Sequence, residues 1–153
     1  MIVAVGADHA GFPVKQRVIA AVERLGHTVV ERGATSTKPV DFPDVTQETC
    51  APVLDGTAHR AILVCGTGAG ATMAANKIPG IRCGLANETY SAHQAVEHDD
   101  ANVIALGAWL VPPAFIDEIV QQFLAATFDD DEDTRRRVRK LNALDELVPP
   151  AAS

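Results

Sequence analysis

No stretch of this chain is apolar for anything near the roughly 20 residues that a membrane-crossing helix needs, so no spanning segment is expected. Positive charge is also scarce. Thirteen Lys and Arg against 20 Asp and Glu give a net charge of −7, which argues against a nucleic-acid groove or an anionic membrane surface as the partner. Cysteine is sparse and unpatterned: the three, at 50, 65 and 83, are odd in number and show no Cys-x-x-Cys spacing. A disulfide framework and a zinc knuckle are therefore not expected, and a reducing cytoplasm fits. The opening Met1-Ile2-Val3-Ala4-Val5 lacks a basic segment before its apolar run, so it reads as a strand and not as a signal peptide.

What the chain does have is apolar residues, 47% of 153, enough for one domain with an ordinary core. That domain is expected over residues 1–147, with a frayed end over 148–153. Short strand-like runs alternate with helical spacing. Strands are expected at Met1–Val5, His27–Val30, Ala61–Val64, Ile81–Ala86 and Val103–Leu106. Helices are expected at Phe12–Leu25, Pro43–Leu54, Gly70–Lys77, Glu88–Glu97 and Ala114–Ala126. Asp41 is the expected N-cap of the second helix, and Asn87 or Thr89 that of the fourth. Strand runs of four to six apolar residues separated by helices point to a parallel sheet covered on both faces. The expected fold is a Rossmann-like α/β/α sandwich with five strands.

The tail departs from this alternation. Five acidic residues, 129–133, precede Arg135-Arg136-Arg137, and Val138, Leu141 and Leu144 form a narrow apolar stripe. An acidic start and basic continuation suit a helix dipole. Such a helix, extending to Leu147 and following the last strand–helix unit, is expected to pack on a second subunit.

Ligands of an open parallel sheet collect beyond the carboxyl ends of its strands. There the sequence places Asp8 and His9, then Cys65-Gly66-Thr67-Gly68-Ala69-Gly70, then Asn87 and Glu88. His98, Asp99, Asp100 and Asn102 precede the fifth strand and so belong to the other end, unless a neighbouring subunit uses them. The glycine loop is not a P-loop, because Ala71-Thr72 follows where Lys-Ser/Thr would be required. Nor is it a dinucleotide fingerprint, which needs different spacing after the first strand. An arginine to close a cysteine-phosphatase loop is missing too. A nest of backbone N–H groups remains, suited to negative oxygen, with a thiol beside it. A thiolate base next to such donors matches proton abstraction beside a carbonyl, with the amides holding the enediolate. Cys65 is equally readable as a small buried hydrophobe; Cys50 and Cys83 are expected in the core.

Five segments together carry a resemblance: G-A-D-H-A-G-F at 6–12, D-F-P-D at 41–44, C-G-T-G at 65–68, A-A-N-K-I-P-G-I-R at 74–82 and H-D-D-A-N-V at 98–103. They resemble the ribose-5-phosphate isomerase B family, which includes galactose-6-phosphate isomerase subunits, from residue 1 to about 145. The resemblance implies a metal-independent aldose–ketose isomerase with no cofactor. It also implies a small-molecule sugar or sugar phosphate as substrate, and a homodimer or homotetramer whose active sites are shared between subunits. By position, Cys65 is implied as the base, Thr67 as its hydroxyl partner and His98 as the ring-opening acid. Gly66, Gly68, Ala69 and Gly70 are implied as the anion hole, and Asp8 and His9 as the sugar grip. Arg137 is implied as a phosphate ligand from the neighbouring subunit. Four positions depart from the family pattern: Asp99 stands for asparagine, Phe42 for tyrosine, and Trp109 and Asp133 for phosphate-binding arginines. Trp109 and Asp99 are accordingly expected at the substrate with altered preference.

Overall fold

The computed structural model describes residues 1–147. Five strands, β1 (Ile2–Ala7), β2 (Thr28–Gly33), β3 (Arg60–Cys65), β4 (Cys83–Leu85) and β5 (Val103–Gly107), form one sheet in the order β2-β1-β3-β5-β4. Every pairing is parallel. Six helices join and cover it: α1 (Phe12–Arg24), α2 (Phe42–Leu54), α3 (Ala69–Ala75), α4 (Thr89–Glu97), α5 (Pro113–Ala125) and α6 (Glu132–Asn142), the last running into a 3₁₀ turn at Ala143–Glu146. Among the described residues no helix is long and apolar enough to cross a membrane.

Alternation along the strands divides the core by size. Val3, Val5, Ile62, Val64, Ile104 and Leu106 point to one face, where they meet α1, α4 and α5 through Val18, Val22, Ala92, Ile116 and Phe123. Ala4, Ala61, Leu63, Cys65 and Ala105 point to the other, against Cys50 of α2 and Ala71 and Ala75 of α3. Small residues on that second face let α2 approach closely: a Cβ at Gly6 would lie 1.8 Å from Thr49 Oγ1. The same approach seats Cys65 against the start of α3.

Strand order also fixes where a ligand can enter. The chain leaves β1 for β2 on one side and returns to β3 on the other, so the loops after β1 and β3 diverge at a switch point. Asp8 follows β1 and Gly66 follows β3, and Ala7 pairs in register with Val64. β5 inserts between β3 and β4, bringing Gly107 opposite Cys65.

Beyond shifts of one to three residues at several other element ends, local features differ from expectation in four places. β4 covers Cys83–Leu85 and not Ile81–Ala86: the Arg82 N–H goes to Asn102 Oδ1 just before it, and on the outer edge of the strand the Asn76 side chain takes both backbone groups of Cys83, Nδ2 donating to its carbonyl and Oδ1 accepting from its N–H. Asp41 occupies the N-cap position of α2 without a side-chain bond. Glu88 caps α4, accepting from Tyr90 and Ser91 N–H at 2.7 and 2.6 Å, in place of Asn87 or Thr89. The tail helix ends at Asn142 rather than Leu147, and Val138 of its stripe is already buried within the chain while Leu141 and Leu144 stay exposed. The expected frayed segment 148–153 lies outside the described residues.

Candidate active site

Cys65 ends β3 with its side chain buried, 6% exposed. Its Sγ accepts from Gly68 N–H at 3.1 Å, a bond that a sulfur anion takes more strongly than a thiol. Gly68 reaches that position with φ +84, a left-handed conformation favoured by glycine. The three carbonyls of the loop are all turned away. Cys65 O accepts from Ala108 N–H at 2.8 Å, Gly66 O from Trp109 N–H at 2.9 Å, and Thr67 O from Asn87 Nδ2 at 3.2 Å. Asn87 Oδ1 in turn accepts from Gly107 N–H at 2.7 Å, so one side chain latches the loop to β5. With its carbonyls used, the loop presents its N–H side, continued by the first-turn amides of α3, which have no partner within the helix backbone. Thr67 Oγ1 accepts from Ala69 N–H at 3.3 Å, which places the hydroxyl at the mouth.

The other two cysteines sit in the packed layer. Burial pushes the Cys50 thiol up to about 12. Burial, reinforced by neighbouring thiols, does the same to Cys83, also to about 12. Both therefore stay protonated at neutral pH, in keeping with packing roles, although Cys83 is only half-buried.

Asp8 and His9 line the neighbouring loop. Asp8 is 7% exposed, and its Oδ1 accepts from Ala10 and Gly11 N–H, each at 2.9 Å. Part of its carboxylate is thus spent on its own turn. His9 Nδ1 accepts from Val40 N–H at 3.3 Å, so the neutral ring carries its proton on Nε2. Trp109 joins this edge: its ring lies over Gly66, where an added Cβ would meet it at 2.7 Å, and it is 72% exposed. Phe42 lies beside Gly70 in the same way.

His98, Asp99 and Arg137 are elsewhere. His98 is the C-cap of α4, 57% exposed, with Nε2 3.8 Å from Glu97 Oε2. Asp99 borders a cleft of about 490 Å³ between β4, α4 and the tail helix, together with Arg82 and Asn142. The length of β5 separates this edge from Cys65 by about 13 Å or more at 3.3 Å per residue. Arg137 is 69% exposed and 3.9 Å from Asp133, which also pairs with Arg136 at 2.5 Å. The carboxylate at an expected arginine position is therefore already compensated.

One chain thus gathers Cys65, Thr67, Gly66, Gly68, Ala69, Gly70, Asp8, His9 and Trp109 at the carboxyl edge and leaves His98, Asp99 and Arg137 at the amino edge. Sequence reasoning gave no role to the Asn87 latch or to Arg82. A polar residue just past a short strand is the only signal that pointed to Asn87, and Arg82 carried none of its own.

Comparison with known proteins bears on what this arrangement is. Residues 3–141 match the family described as Ribose/Galactose Isomerase. Ribose-5-phosphate isomerase B of Escherichia coli is 33% identical over 144 residues, covering 94% of this chain and 96% of that protein. D-erythrulose-4-phosphate isomerase of Pectobacterium atrosepticum is 37% identical over 129 residues, covering 83% and 84%. The structure of Trypanosoma brucei type B ribose 5-phosphate isomerase superposes with a TM-score of 0.91 at 39% identity, covering 94% of this chain and 97% of that one. Full-length coverage, shared topology and the matched segments make this chain a member of the ribose/galactose isomerase family.

Proposed function

We propose that the protein interconverts an aldose and a ketose phosphate through an enediolate, with ribose 5-phosphate and ribulose 5-phosphate as the leading pair. The observation that carries this is the Cys65 sulfur, held by the Gly68 amide inside a loop whose carbonyls face away from the mouth. In this reading Cys65, as thiolate, takes the proton from C2 of the open-chain aldose and returns it to C1, while the hydroxyl proton on O2 passes to O1. Charge building on the two oxygens in between is met by the N–H groups of Gly66 to Gly70. Thr67 supplies a hydroxyl beside the thiol, while Asp8 and His9 hold the sugar hydroxyls. His98 donates the proton that opens the ring, and Arg137 binds phosphate.

Those last two residues come from a partner copy in this reading, in a homodimer or homotetramer. Support comes from their exposure at an edge that their own Cys65 does not share. The three free thiols support a cytoplasmic setting. A non-catalytic role is not favoured, since thiol, hydroxyl and histidine are all retained. One observation favours a second substrate, a shorter or less charged sugar: the Trp109 face lies at the mouth where the family resemblance implies a guanidinium. The test is conversion of ribose 5-phosphate by the purified full chain, beside Cys65→Ala. Loss of a general base typically costs about 10²–10⁴-fold, and near-full turnover in Cys65→Ala would remove Cys65 from the reaction.

A further inference from the structure

Helix α4 ends in an unusual way. Ala101 N–H donates to Ala95 O at 2.8 Å and Asp100 N–H to Val96 O at 3.1 Å. The second of these bonds is the single-bond left-handed closure, which normally places glycine at the residue that donates it. Here that position is Asp100, with φ +49, the one non-glycine residue of positive φ among those described. An aspartate held there is strained relative to glycine. Helix termination alone does not explain the choice.

Arg82 does. Its Nε donates to the Asp100 carbonyl at 2.7 Å and its Nη2 to Asp100 Oδ2 at 2.7 Å, so one guanidinium grips both backbone and side chain of the strained residue. The arginine is itself fixed at its backbone. Its N–H donates to Asn102 Oδ1 at 2.9 Å, and Asn102 Nδ2 donates to Gly80 O at 2.9 Å. Its third nitrogen, Nη1, reaches Asn142 Oδ1 at 3.4 Å, at the end of α6. A second tie, Gly80 N–H to Asp145 Oδ2 at 2.8 Å, binds the turn after α6 to the same loop.

Three residues of the amino edge therefore stand on one frame. His98 and Asp99 immediately precede the gripped residue, and Arg137 is on the helix tied at its end. We infer that Arg82 and Asp100 are positioning residues that set the His98–Asp99 corner in register with α6, so that the amino edge meets a substrate as one rigid unit. This rests on the reading that His98 acts in isomerisation. A planar fork is required for the double grip, and lysine cannot reproduce it.

The experiment uses Asp100→Gly and Arg82→Lys in the full chain, with His98→Asn alongside. Glycine at 100 relieves the left-handed strain, so a purely structural role would leave kcat/KM on ribose 5-phosphate unchanged. The clamp predicts a fall of roughly ten- to a hundred-fold, as expected when a catalytic group is misplaced by about 1 Å, with thermal stability retained in Asp100→Gly. Arg82→Lys is expected to fall as far despite keeping its charge. Parent-like kcat/KM in Asp100→Gly, with His98→Asn inactive, overturns the clamp alone. Full activity in His98→Asn overturns the reading beneath it. A second readout needs no turnover: the His98 Cε1–H resonance is expected to move toward its random-coil position in Asp100→Gly, and an unmoved resonance also overturns the clamp.

Discussion

At the carboxyl edge of the sheet the carbonyls of residues 65–67 and the Cys65 sulfur are engaged within the chain, by Ala108, Trp109, Asn87 and Gly68. At the amino edge His98, Asp99 and Arg137 stand in solvent on a corner that Arg82 braces from behind. The first arrangement fixes a buried sulfur and a row of amides before any ligand arrives. The second fixes the backbone beneath exposed side chains whose only partners among the described residues are long-range surface carboxylates. Preorganised donors are useful where charge develops, and exposed, weakly paired side chains are useful where another surface supplies the partner. The difference teaches that preorganised amides and exposed side chains are kept at opposite ends of one sheet; in the proposed reading, one copy's amino edge completes another copy's carboxyl edge.

That pairing can be broken most directly by removing α6. Truncation after Phe128 deletes Arg137 and the exposed Leu141 and Leu144 together, and is expected to weaken the oligomer and abolish most activity while the sheet stays folded. Light scattering and turnover on ribose 5-phosphate check this, and an active monomer would contradict it. A smaller and more selective effect is expected at Trp109. Charge-assisted hydrogen bonds contribute about 1.5–3 kcal/mol, so Trp109→Arg is expected to raise kcat/KM on ribose 5-phosphate relative to unphosphorylated ribose by roughly ten-fold or more. An unchanged ratio would mean that Arg135, Arg136 and Arg137 already supply the phosphate grip.

The smallest effect concerns the thiols and sharpens the contrast within one layer. Cys50 and Cys83 are pushed up to about 12 by burial, so at pH 8 both remain protonated and are expected to resist iodoacetamide in the folded protein. Raising the pH toward 12 would expose their thiolates, so protection is present below that range and lost on entering it. Mass spectrometry of the alkylated protein checks this. Cys65 is the expected site of modification, with loss of turnover. Cys50→Ala is expected to lower thermal stability and leave kcat unchanged.

Much of the fold could be read from the chain because buried parallel strands and amphipathic helices have different periods. Ile62, Val64, Ile104 and Leu106 could only be core strands, and each helix was found within a few residues. Some boundaries were set by side chains distant in sequence: the Arg82 N–H goes to Asn102, so β4 starts only at Cys83, and Glu88 acts as cap because Asn87 is committed to Thr67 and Gly107. The carboxyl-edge cluster was legible because strand ends and glycine spacing announce it. Asp100 was not, since nothing in a run of His-Asp-Asp-Ala declares a left-handed residue or its distant arginine. Asp133 was legible as a carboxylate but not as one paired with Arg136.

A mixture of two inactive variants tests the shared site itself. Cys65→Ala damages only the carboxyl edge and His98→Asn only the amino edge, so each is expected to be inactive as a pure protein. Co-assembled at equal amounts, about half of the dimers become hybrids, and each hybrid holds one site with both parental residues. The account predicts recovery of about a quarter of parent kcat per chain in the mixture, by the same counting. If thiol and histidine instead serve the same subunit's site, every site in the mixture carries one lesion. Co-assembly that is confirmed by mass spectrometry and restores no activity would contradict the account.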